Sequence, residues 1–317
     1  MKNVVVIGFS IIALLLGIPL SFQAVYSAQG QIGEQVERVL LNDDEYEEMV
    51  VPVFREALNE HQSMLLEEEY LIGVVAAEMP ASFELEALKA QAITARTYTL
   101  KTLENESFIL DTVQHQAFKD EEQLKERWGS NFDEYYSKIR QAVEETRGLV
   151  LTHEGNLIQP LFFAISNGKT ENSEDYFSGA IPYLRAVNSD WDKSVSGFEV
   201  QVEFEIDELH EIFNDSSLSV ASFKVLSRTE GGNIREVSVG DHVYSGREFR
   251  EKLGLRSSDF SFSSDGDTLL ITTIGYGHGV GMSQSGANEL AKMGKGYGEI
   301  LEHYYQNIKI IEKNSWF

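Results

Sequence analysis

Apolar residues dominate one unbroken uncharged run near the start of the chain, Val4 to Ala28, and from Val50 onward fall into short alternating or helical patterns. VVPVF and QSMLL read as strands. EEEYLIGVVAAEMP reads as a short helix stopped by Pro80, because proline cannot continue a helix. On that helix Leu71, Val74, Val75 and Glu78 share one face, so a carboxyl ends an apolar stripe. A second helix is predicted from about Phe83 to Leu103, with Ser82 as N-cap, Glu84 and Glu86 in its first turn, and an apolar stripe at Leu85, Leu88, Ala92 and Ala95. After an irregular polar stretch, NFDEYYSKIRQAVEETRG predicts a third helix with Gly148 near its C′ position. LVLTHEGNLIQPLFFAIS then reads as a hairpin turning at Glu154 to Asn156. FEVQVEFEI, DELHEIF and FKVLSRTEGGNIREVSVG add strands and a helix without a reactive constellation, so residues from about 195 to 260 read as a supporting lobe. Mixed strands and helices without regular βαβ alternation indicate an α+β fold, with mixed sheets and a few packed helices.

The stretch GYGHGVGMSQSGANELA breaks this picture. Gly275, Gly277, Gly279 and Gly281 alternate with Tyr276, His278, Val280 and Met282, which on a strand strips one face bare. Either a ligand lies flat on that face, or the glycines bend the chain into a core. A phosphate cradle is disfavoured, since no Lys-Ser or Lys-Thr pair follows and the spacing is not G-x-G-x-x-G. Ser283 or Ser285 is suited to cap a helix running through Ala287 to Met293, with Gly294 at its C′ position.

Composition narrows the partners. The 26 basic and 51 acidic residues give a net charge of −25, with no basic patch among aromatics, which argues against nucleic acid. The absence of cysteine excludes disulfides, thiolate ligands and a Cys nucleophile. The run from Val4 to Phe22 is long enough to cross a bilayer, which takes about 20 residues. Residues 1–30 therefore read as an uncleaved signal-anchor helix, although Val25, Tyr26 and Ser27 also suit a cleavage site. With Lys2 on the cytoplasmic side, an acidic spacer over 31–49 and a domain over 50–317 would lie on the extracytoplasmic side of the cell membrane.

Three side chains stand out as chemistry. Partial burial of Glu78 would raise its pKa and let it serve as a general acid, whereas a glutamate reaching past the helix end to solvent would not. Arg96 borders the buried face of the second helix, where it would hold a ligand carboxylate or acetamide, orient Glu78, or form a salt bridge at the helix edge. His278 lacks the spacing of a metal site and reads as hydrogen-bonded or packed. No G-x-S-x-G elbow supports a serine hydrolase.

Together GVVAAEMP, LEALKAQAITARTY, SNGKTENSEDYF, PYLRAV and GHGVGMSQSGA resemble the stage II sporulation protein D family, over nearly the whole exported part. The resemblance implies a membrane-anchored lytic transglycosylase that cuts peptide-free peptidoglycan strands during forespore engulfment. Its implied partners are the stage II sporulation protein P amidase and stage II sporulation protein M. It puts the essential glutamate at Glu78, the family arginine at Arg96, and a Ser-Gly-Gly segment at Ser166, Asn167 and Gly168, with the middle glycine replaced. Many relatives carry D-T-x-H-C-Q-x-Y where this chain has Asp111 to Phe118, so Gln116 is retained while the His-Cys pair that holds zinc in some relatives is absent. No zinc site and no cofactor are expected. An amino sugar is expected to lie on the glycine strand, with Gly279 in the bare face and His278, Ser283 and Gln284 as polar contacts. A water-using muramidase would need a second carboxylate, Asp192 or Asp175. A glycan-binding module stimulating an amidase is the reading from another class.

Overall fold

A computed structural model describes residues 49–312. The anchor expected over 1–30 and all but the last residue of the spacer over 31–49 lie outside them. Among the described residues no helix is long and apolar enough to cross a membrane. The fold is mixed α+β, with five small sheets among the described residues.

Strands β1 (Val50–Arg55) and β2 (Glu60–Leu65) form an antiparallel hairpin, with β3 (Ile109–Leu110) parallel to β1. A wide helical turn over Leu66–Tyr70 leads into α1 (Leu71–Glu78). The helix stops where expected: Met79 is extended, as the residue before a proline prefers. Next comes α2 (Leu85–Leu103), but Ser82 does not cap it. Glu84 takes the N-cap position without a side-chain bond, and its own N–H donates to Asn288 Oδ1 at 2.8 Å, so a tertiary partner replaces the local cap. Burial is continuous from Ala90 to Thr99 rather than confined to one stripe, because alanine and threonine side chains let neighbours approach from every side. The buried hydroxyls of Thr97 and Thr99 donate back to the carbonyls of Ile93 and Ala95.

The polar stretch after β3 contains α3 (Glu121–Trp128), opened by a reciprocal capping box between Asp120 and Gln123. Then come α4 (Phe132–Glu144) and the hairpin of β4 (Leu149–His153) and β5 (Asn156–Leu157). Glu154 and Gly155 both take positive φ in that turn, as a two-residue hairpin requires. The C-terminal strand β14 (Lys309–Glu312) pairs with the other edge of β4. Short parallel strands β6 (Phe162–Phe163) and β13 (Met282–Ser283) precede α7 (Gln284–Lys292) and α8 (Tyr297–Tyr304). The main core forms around α2 and gathers Leu71, Val75, Leu88, Ile93, Ile139 and Leu301.

A second core lies between two three-stranded antiparallel sheets. One orders β10 (His242–Ser245), β9 (Ile234–Val239) and β8 (Phe223–Arg228); the other orders β11 (Phe260–Asp265), β12 (Thr268–Ile274) and β7 (Glu199–Glu205). With them pack α5 (Ile206–Phe213) and α6 (Gly246–Leu253), whose Phe249 meets the rings of Phe213, Phe223, Phe260 and Phe262.

Candidate active site

Glu78 is the last residue of α1, and its side chain is half-buried. Its Oε1 accepts the Ala117 N–H at 2.7 Å from a segment 39 residues downstream. Burial raises its pKa, and the Ala117 bond partly opposes that rise. The C-terminus of α1 adds the negative end of a helix dipole, which also favours the protonated acid. Among the described residues no second carboxylate enters this balance. The charge of Glu78 reaches the hydroxyls of Tyr70 and Tyr98, and both phenols are pushed up, chiefly by their own burial.

The segment that braces Glu78 is held from two sides. Gln116 is fully buried and its Oε1 accepts from Thr99 Oγ1 at 3.0 Å, tying the segment to α2. Phe118 stacks on Tyr70 with ring centroids 5.8 Å apart. The close approach needs Gly73: a Cβ there would sit 2.3 Å from Phe118 Cε2 and 2.6 Å from the Lys119 carbonyl. Gln116 therefore positions Ala117 from inside the protein.

Arg96 is fully buried. Its Nε and Nη2 donate to the two Glu67 oxygens at 2.6 Å each, and its Nη1 and Nη2 donate to the carbonyls of Leu149 and Val143. The expectation that Arg96 touches a ligand or orients Glu78 gives way to a bidentate internal ion pair, because the carboxylate that desolvation demands comes from the turn before α1. Sequence reasoning missed Glu67, whose neighbours Glu68 and Glu69 are exposed and disguise it as part of a solvated acidic run.

The glycine segment is also corrected. Extended geometry stops at Ile274, and Gly275, Gly277, Gly279 and Gly281 all take positive φ, between 78° and 116°. What comes close to the backbone is the protein itself. A Cβ at Gly281 would lie 2.0 Å from the Leu161 carbonyl, at Gly275 2.7 Å from the Ile165 carbonyl, and at Gly279 3.0 Å from Glu171 Cγ. No bare strand is left for a sugar; the alternative of glycines bending the chain into a core holds.

His278 lies half-buried among the rings of Phe163, Tyr176 and Phe177, and its Nδ1 accepts the Val280 N–H at 3.1 Å. Burial, aided by the nearby charges of Arg250 and Arg247, pushes it down to about 4, so the ring is neutral. Ser283 caps α7 by accepting the Gly286 N–H at 3.1 Å and donates to Asp192 Oδ1 at 2.7 Å. Gly294 follows with positive φ. Gln284 is buried, with its amide facing Gln91 Oε1 at 3.4 Å.

Ser166 is buried, and its N–H donates to Asp192 Oδ1. Asn167 donates to the Gly231 carbonyl and to Asp259, bridging toward the second core. Gly168 has positive φ and lies beside Lys193, whereas Asn167 does not, so only one position of the pair demands glycine geometry. These residues and Glu78 share no direct contact; the hydrogen bonds from Glu84 to Asn288 and from Gln284 to Gln91 link α7 to α2 and its N-cap, next along the chain from α1.

The two carboxylates that hydrolysis would recruit are engaged elsewhere. Asp192 is buried, accepts from Ser189, Ser283 and the Ser166 N–H, and burial pushes it up to about 6. Asp175 pairs with Arg235 at 2.6 Å. An acid that sequence reasoning did not single out is Glu171, which burial pushes up to about 7 while it accepts from Thr229 Oγ1 and the Asn233 N–H. The zinc positions of some relatives do not fit a metal here: His115 stands beside Gln114 and Gln116, and its Nδ1 already accepts the Leu110 N–H at 2.9 Å.

Fold and site thus define a mixed α+β protein presenting a partly open, proton-favouring carboxyl braced by main chain. The family model SpoIID, described as stage II sporulation protein, matches residues 55–153, a span that holds Glu78 and Ala117. The chain is 41% identical to stage II sporulation protein D of Bacillus amyloliquefaciens over 275 residues and 40% identical to that of Bacillus subtilis (strain 168) over 277 residues. Each alignment covers 84% of this chain and 80% of the relative. The chain belongs to the stage II sporulation protein D family. It is also 29% identical to the amidase enhancer of Bacillus subtilis (strain 168), over 74% of this chain and 39% of that protein.

Proposed function

We propose that this chain is a peptidoglycan lytic transglycosylase, anchored in the cell membrane with its folded part outside, that opens peptide-free glycan strands during sporulation. The observation that carries this reading is the raised pKa of Glu78 in a half-open setting with one main-chain donor. Glu78 gives its proton to the oxygen joining N-acetylmuramic acid to N-acetylglucosamine, and the bond to C1 breaks. The resulting carboxylate takes the proton of the muramic acid C6 hydroxyl as that oxygen closes onto C1. The product carries a 1,6-anhydro ring, the acid is restored, and no water is consumed. One carboxyl suffices, whereas hydrolysis by the usual two-carboxylate routes needs a partner that neither Asp192 nor Asp175 is free to be. An amidase supplying denuded strands, with stage II sporulation protein P as the candidate, fits this substrate, and the membrane protein stage II sporulation protein M is the second candidate partner.

The amidase-enhancer relative favours a second reading, a glycan-binding module that stimulates an amidase without cleaving. Mass spectrometry of peptide-free strands incubated with the purified protein separates the two. Anhydro-ended fragments from wild type and none from Glu78→Gln are expected. Reducing ends would make it a hydrolase, and bound but intact strands would favour the binding module.

A further inference from the structure

Arg256 lies between α6 and β11, at the junction of the second core with the glycine segment. Its carbonyl accepts the Gly277 N–H at 3.0 Å and Ser257 bridges to Gly277, so main-chain bonds fix it beside Tyr276. The guanidinium carbon stands 4.5 Å from the centre of the Tyr276 ring. Tyr276 itself is 47% exposed, although its N–H and carbonyl both bond the main chain of Ile165.

Among the described residues the guanidinium of Arg256 has no hydrogen-bond or ion-pair partner, and its Nε is buried without one. In a chain with 51 acidic residues against 26 basic, that is the informative fact. The arginines around it are partnered: Arg228 with Asp259, Arg235 with Asp175, Arg247 with Glu251, and Arg250 with the Leu255 carbonyl and the Tyr176 hydroxyl. Gly197, with φ of 77°, faces the fork: a Cβ there would lie 3.4 Å from Nη1 and 3.5 Å from Nη2. A side chain at that position would cover the donors; glycine leaves them open. A stacked guanidinium is weakly hydrated, always charged, and presents paired donors that match a carboxylate. The adjoining aromatic ring suits the apolar face of a sugar.

We propose that Arg256 and Tyr276 form a subsite for a carboxylated sugar, in which the fork binds the carboxylate and the ring supports the pyranose. Resting on the glycan reading above, it deepens that reading: the free lactyl carboxylate of muramic acid exists only where the stem peptide is gone, so this pair distinguishes denuded from peptide-bearing strands by charge.

The test uses full-length Glu78→Gln protein, which removes turnover, and calorimetric titration with two probes: peptide-free strands, and the same strands with their lactyl carboxylates converted to primary amides. The carboxylate strands should bind about tenfold or more tighter, the scale of a charge-assisted hydrogen-bonded pair. Adding Arg256→Gln should erase that preference while the melting temperature and the affinity for amidated strands stay unchanged. Tyr276→Ala should weaken both strands alike. Equal binding of the two probes, or a preference that survives Arg256→Gln, overturns the subsite and leaves the glycan reading standing. Binding of neither probe overturns both. Tighter binding of a glycerol phosphate polymer than of the carboxylate strands would also overturn the assignment to a sugar acid. If Arg256→Gln fails to fold, Arg256→Lys, which keeps the charge and loses the paired donors, takes its place and should reduce the preference; an undiminished preference overturns the subsite.

Discussion

Glu78 and Glu171 are both carboxyls whose pKa burial raises, yet their settings diverge. Glu78 ends a helix, is half-open, and takes one main-chain donor. Glu171 is 1% exposed and held by Thr229 and Asn233 of the turn joining β8 to β9, with its own N–H on the Gly279 carbonyl. A shifted pKa therefore does not by itself mark chemistry. Access separates a carboxyl able to exchange a proton with a ligand from one that fastens two parts of a fold.

The largest effect should come from Glu78→Gln, which keeps shape and removes the acid. A rate loss of about a hundredfold to ten-thousandfold is expected, with the melting temperature unchanged. Glu171→Gln should do the reverse, altering stability while leaving the rate per folded molecule. Equal rate losses in both variants would break the distinction. Next in size is Arg96→Ala, which strands Glu67 in the core and should cost about 3–5 kcal/mol in denaturant unfolding.

A third effect is a pH dependence. Because the folded pKa of Glu171 is raised from 4.5 to about 7, the folded state binds the proton more tightly than the unfolded one. Its stabilising contribution is full below pH 4.5, declines as pH rises, and is gone above about 7. The span is on the order of 3 kcal/mol. Asp192, raised from 3.8 to about 6, adds a loss of the same sign over a lower window, and Glu171→Gln should flatten only the upper part of the melting profile. The rate should also fall with rising pH as Glu78 loses its proton, above the ordinary carboxylate range. The smallest effect is that of Gln116→Leu, which removes the acceptor for Thr99 at about 1 kcal/mol and shifts the alkaline limb of the rate profile by loosening Ala117.

Much of the scaffold was legible because periodicity carries it. The helix carrying Glu78, its stop at Pro80, the central helix and the hairpin at Glu154 all follow from spacing and turn chemistry. The helix Glu121–Trp128 was equally readable from Asp120 and Gln123, and polarity hid it. Other features leave no local trace. Arg96 meets Glu67 from 29 residues away, and the brace on Glu78 is a backbone N–H, which no side-chain pattern reports. The alternating glycines misled because period two describes a strand only when φ is negative. Here each glycine is left-handed, and the closeness they permit is to residues 161–171.

The brace on Glu78 has a consequence for how such a chain can drift. The donor at position 117 belongs to the main chain, so replacing the alanine side chain leaves the N–H in place, and only proline deletes it. The acid's proton balance is thereby insulated from most single substitutions at the residue that touches it. The sensitive position lies instead at Gly73, where any added carbon would push the bracing segment away. Mutational tolerance is thus displaced from the contact to the helix beneath it.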